Sequence, residues 1–197
     1  MTLLGIVFGD IIGKMRSGSA SKSQRAQNKS RIEEMLSSMP KRWMRELEAA
    51  RAEQRQLGLP VTPEEPTTDD IIETVLEITA GDRTPGSSRW AGPRGDESVV
   101  VYDDIMEEAM RGLELSFRED YPSWKFIGLA RAMQLATRDK IWSRSRDRAR
   151  EYLRRHQKDK GGRGFGDEKN PSDGYMAYLN WGGEPAWETW QNREKKR

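Results

Sequence analysis

The stretch YPSWKFIGLARAMQLATRDKIWSRSRDRAREYLRRH, residues 121–156, carries the longest periodic signal in the chain. From Trp124 to Arg155, the residues Trp124, Phe126, Ile127, Ala130, Met133, Thr137, Ile141, Trp142, Ala149, Tyr152 and Leu153 recur at near-helical intervals. Spacings of three and four place them on one broad face, so the stretch predicts a long helix with a bend near Ala136–Thr137. Tyr121-Pro122 separates it from DDIMEEAMRGLELSF, where Ile105, Met106, Ala109, Met110, Leu113 and Phe117 repeat the pattern. SVVVY, just before, reads as the start of that helix or as a short strand.

Toward the N-terminus the signals weaken but keep the same period. Ser30 and Glu33 have capping-box spacing ahead of Ile32, Met35 and Leu36. Pro40 suits the first turn of a helix carrying Trp43, Met44, Leu47 and Ala50, which Gly58 and Pro60 end. Thr67 and Asp70 open IIETVLEITAG, read as a helix closed by Gly81. No set of alternating strands long enough for a large sheet is present. The fold class expected is all-α: an irregular helical bundle with a flexible basic N-terminal linker and a Gly/aromatic-rich C-terminal extension. Its divisions are residues 1–29, an apolar segment and basic linker; 30–158, the helical domain; and 159–197, the extension. Trp43, Leu47, Ile72, Leu76, Met110, Leu113, Ile127, Ile141 and Trp142 are the expected core.

Composition narrows the chemistry. Of 197 residues, 35% are hydrophobic and 34% charged, which argues against an apolar-rich enzyme core. With no cysteine, structural disulfides, Cys-ligated metals and thiol nucleophiles are excluded. The single histidine, His156, lies among cations and is read as a surface residue with nothing to orient its ring. The glycines at 161, 162, 164 and 166 match neither a P-loop nor a dinucleotide fingerprint. Asp103, Asp104, Glu107 and Glu108 lack the turn and ligand set of a calcium loop. We therefore expect no catalytic residues, no cofactor and no metal.

What remains points to binding. The formal charge is +2, but it is divided: +5 over residues 1–60, −11 over 61–120 and +8 over 121–197. Such a layout favours internal neutralisation, self-association or separate docking faces. Arg144, Arg146, Arg148, Arg150, Arg154 and Arg155 fan around the helix that ends the opening stretch, interrupted by Asp147 and Glu151. Guanidinium forks suit phosphate or carboxylate, so these six are the candidate protein- and anion-binding residues. Trp90, Tyr175, Tyr178, Trp181, Trp187 and Trp190 are candidate aromatic contacts, unless the tail packs over the body. Phe165, within the glycine run, is compatible with stacking on a base. Leu3, Leu4, Val7, Phe8 and Ile11, in a segment too short to span a bilayer, are candidates for assembly or membrane contact.

These features order three expectations. The first is a noncatalytic protein-interaction and assembly protein, of the kind a small viral structural or matrix-like accessory protein would be, with a protein partner and self-association. The second is an RNA-binding or nucleoprotein-associated module. The third is a peripheral adaptor on an anionic membrane surface. The matching locations are the cytoplasm, a membrane surface, or the host nucleus if the protein is viral.

Overall fold

The computed structural model describes residues 20–38, 41–58, 68, 72, 98–119 and 126–191. Among them are seven α-helices: α1 (Ala20–Ser37), α2 (Lys41–Leu57), α3 (Asp103–Arg118), α4 (Phe126–Thr137), α5 (Ser143–Arg155), α6 (Asp173–Asn180) and α7 (Gly183–Gln191). The only sheet among the described residues has two strands, β1 (Ser98–Val100) and β2 (Lys140–Trp142). The chain is an all-α helical bundle, as its periodicity implies.

Helix α3 is the centre of the packing. Ile105, Met106, Ala109, Met110 and Leu113 are buried at intervals of one, three and four, and α3 packs against α4 and α6. The contact with α6 is close because residue 112 is glycine: a Cβ there would lie 2.6 Å from Asn180 Oδ1. Asn180 in turn donates from Nδ2 to Ser116 Oγ at 3.0 Å, which joins two fully buried polar side chains across the same contact. The connection from α6 to α7 turns on Gly182, whose φ of +95° only glycine adopts without strain.

Residues 121–156 do not form one bent helix. Helix α4 stops at Thr137, and Lys140–Trp142 leaves to pair antiparallel with β1 in the register Ser98↔Trp142, Val99↔Ile141, Val100↔Lys140. Val101 N donates to Asp139 O at 2.9 Å and extends the ladder by one rung. Lys140-Ile141-Trp142 has the alternation of a strand, with Ile141 buried and its neighbours outward. That period of two puts Trp142 on the solvent face, and it is 43% exposed. Ile127, in the first turn of α4, is 40% exposed. Neither therefore belongs to the core, where helical spacing alone would put them. Ile72, Met110, Leu113 and Ile141 are buried as expected, whereas the side chains of Trp43 and Leu47, and all of Leu76, lie outside the described residues.

The basic stretch read as a linker is helical from Ala20 onward. Its local sequence has almost no apolar face before Ile32, so its helicity rests on tertiary contacts. Arg25 donates from Nη1 to Arg138 O (2.7 Å) and Leu135 O (3.2 Å), and from Nη2 to Val101 O (2.7 Å). Asn28 donates from Nδ2 to Ala136 O at 3.1 Å. The carbonyls of Leu135 and Ala136 belong to the last turn of α4, where no further helical N–H can reach them. Helix α1 thus caps α4 from the side. Burial lowers the pKa of Arg25 while Asp103 and Asp139 act in the opposite direction, and Asp103 lies 3.8 Å away.

Candidate anion-binding surface

Helix α5 is the most basic element of the described fold. Its sequence, SRSRDRAREYLRR, buries Ala149 and Leu153 completely; Arg144, Glu151, Arg154 and Arg155 are exposed, and Arg146, Asp147, Arg148 and Arg150 are partly buried. Arg154 and Arg155 end the helix, where cations oppose the negative end of the helix dipole. The helix carries six arginines and two carboxylates of its own. Asp147 is held by Arg146 at 2.7 Å and approached by Arg150 at 3.9 Å. Glu151 accepts two hydrogen bonds from Arg154, at 2.9 and 2.7 Å, and lies 3.9 Å from Arg155. The Arg154 hydrogen bonds hold the Glu151 carboxyl below its ordinary pKa. Exposed pairs of this kind are screened by water, so they orient the side chains more than they stabilise the fold. By composition the helix has a formal excess of four positive charges over thirteen residues.

A further cation lies beside this helix. Arg131 of α4 is 3% exposed, and its guanidinium carbon sits 5.6 Å from the centre of the Trp181 ring. Nη1 donates to the Gln134 side chain, while Nε is buried without an acceptor. No carboxylate among the described residues acts on it. Burial, reinforced by the nearby charge of Arg148, pulls its pKa down to about 9. Trp181 lies flat on Tyr152, with ring centres 4.4 Å apart, and Tyr152 lies on His156 at 4.2 Å. His156 is oriented after all. Its Nδ1 is 2.6 Å from Asp159 Oδ2, a partner three residues on that the 3-10 turn Gln157–Gly161 brings under the ring.

The other sequence-derived candidates divide clearly. Tyr175, Tyr178 and Trp190 are buried in the common core, and Trp181 and Trp187 are half-buried against it. Tyr178 is also tied down through its hydroxyl, which donates to Glu184 Oε2 at 2.8 Å and accepts from Gln157 Nε2 at 3.1 Å. Phe165 packs on Tyr175 and Tyr178, with ring centres 5.1 and 5.5 Å away. The aromatic tail therefore closes over the body, the packing alternative left open by the sequence. Trp90 and the segment containing Leu3, Leu4, Val7, Phe8 and Ile11 lie outside the described residues.

Two features of this surface escape the sequence reading: the buried cation Arg131 and the exposed Trp142. A signal existed for each. Arg131 is the one charged residue in FIGLARAMQLAT, and Lys140-Ile141-Trp142 follows a helix end with strand alternation. Comparisons with protein-family models, with curated proteins and with solved structures gave no match.

Proposed function

We propose that the chain is a noncatalytic binding module that engages an anionic macromolecule through helix α5. The observation that carries this reading is the charge excess on α5, six arginines against two carboxylates, adjoined by Arg131 with no carboxylate acting on it. Guanidinium groups fixed by short pairs to Asp147 and Glu151 are already oriented, so little side-chain entropy is lost when phosphate or carboxylate replaces water around them. Self-assembly, the first expectation from sequence, has less support. Of the features behind it, the tail aromatics pack against the core, and the apolar N-terminal segment lies outside the described residues. No helix among the described residues is long and apolar enough to cross a membrane.

The test is a titration of the full chain with a short RNA, polyglutamate and anionic vesicles over a salt series. At least one should bind, with an affinity that falls steeply as salt rises. Replacing Arg144, Arg148, Arg154 and Arg155 together with Gln should weaken that binding. With a single-stranded RNA, the salt slope should drop by roughly 0.7 for each phosphate that the variant no longer neutralises. Absence of binding to all three at low salt would end the anion-binding reading.

A further inference from the structure

The outer face of the β-ribbon leads directly into α5. Trp142 is the last residue of β2 and the residue that caps α5, so its indole and the first arginine of the helix, Arg144, are two positions apart. On the ribbon, Ser98 lies across from Trp142, and Lys140 is two residues back on the same face, about 6.6 Å away. Val100 pairs with Lys140 and is diagonal to Trp142. The indole is 43% exposed and Val100 42%, while Lys140 and Arg144 are exposed cations on either side.

We propose that this face is a stacking platform for single-stranded nucleic acid, with a base lying on Trp142 and flanking phosphates reaching Lys140 and Arg144. The inference rests on the anion-binding reading of α5 and names its ligand. A purely acidic peptide such as polyglutamate would satisfy the cations but carries no aromatic face to stack on the exposed indole. A bilayer is met through an apolar helix face, and at this surface the apolar residues of α5, Ala149 and Leu153, face inward among the described residues. Unpaired bases supply both parts of the match, a flat π surface and a phosphate on each side. A duplex hides its base faces in the stack and fits less well.

Trp142→Leu and Trp142→Phe variants of the full chain should be compared with wild type by anisotropy. The probes are a labelled single-stranded RNA 12-mer, its duplex, polyglutamate and phosphatidylserine vesicles. Helix content and oligomer mass should be checked on each variant. Trp142→Leu should weaken the single strand roughly tenfold to a hundredfold, the range for removing one base stack, and leave polyglutamate binding unchanged. Trp142→Phe should retain most of the affinity. Single-strand binding that survives Trp142→Leu would overturn the stacking role while leaving α5 as an anion-binding helix. Equal binding of duplex and single strand would overturn it too. So would a Trp142→Leu effect confined to vesicles or to oligomer mass, which would mark the face as a lipid or self-association surface. If the wild type binds no anion at all, the reading of α5 fails together with this one.

Discussion

Replacing Gly112 with alanine tests the closest contact in the core, because two opposing effects fix the sign of the result. In an open helix the change would stabilise the protein by about 0.8–1 kcal/mol through helix propensity. Here the new Cβ would meet Asn180 Oδ1 at 2.6 Å, Asn180 N at 2.8 Å and Leu179 C at 2.9 Å. Carbon contacts are comfortable near about 3.5–4.0 Å, so α3 and α6 would have to separate by several tenths of an ångström. Rotating the amide away is no remedy, since it would break the Asn180–Ser116 hydrogen bond inside the core. The other two atoms are backbone and cannot rotate. Overpacking of this kind typically costs about 1–3 kcal/mol, and the backbone contacts put this case toward the upper end. We expect a net loss of about 1–2 kcal/mol, read as a fall in Tm of roughly 2–8 °C for a chain of this size. Gly161, whose Cβ would meet nothing within 4 Å, is the matched control, and alanine there should change stability by less than about 0.5 kcal/mol. A rise in Tm for Gly112→Ala would refute the close approach of α3 and α6.

Two other perturbations follow from the buried polar contacts. Arg25→Lys keeps the charge but cannot reach Val101 O, Leu135 O and Arg138 O together, and it should cost about 2–3 kcal/mol. The check is the urea midpoint at unchanged m-value, and an unmoved midpoint would show that the cap contributes nothing. Burial, reinforced by Asp159, pushes the Tyr152 hydroxyl up to about 12. The folded protein then keeps a proton that the unfolded chain releases near about pH 10. This stabilisation is fully present below about pH 10 and is lost as pH rises toward about 12, amounting to at most about 2 kcal/mol. Tyr152→Phe should therefore make the decline of Tm between about pH 10 and 12 shallower than in wild type, and parallel curves would contradict the assignment.

Apolar periodicity made the helical class legible, together with the buried stripe of α3; on α4 it found Ala130 and Met133 but not Leu129, Ala132, Leu135 and Ala136, which are buried beside them. It also identified the arginines of α5, because a charge run needs no tertiary information to be seen. Three features were hidden for physical reasons. The first half of α1 is polar and gains its helicity from Arg25 and Asn28 binding the free carbonyls of α4, a contact more than 100 residues distant. The break after Thr137 depends on β1 being available as a pairing partner for Ile141, and helical spacing fits the same apolar residues equally well. The aromatics from Tyr175 to Trp190 have the composition of a binding tail, and only the shape of the rest of the core shows that they fill it.

The Arg25 contacts also bear on how the molecule comes to fold. They join a residue near the start of the described chain to Val101, Leu135 and Arg138, while α7, at its other end, supplies the fully enclosed indole of Trp190. A ribosome delivers these pieces in sequence at about 5–20 residues per second. Helix α1 emerges seconds before the carbonyls that stabilise it, and the core stays open until Trp190 has been synthesised. The contacts of α1 close over more than 100 residues, so this part of the fold should form later than the pairing of neighbouring helices. During translation α3 can pair with α4 as soon as both are made, while the part of its stripe that meets α6 and α7 stays uncovered until those helices follow.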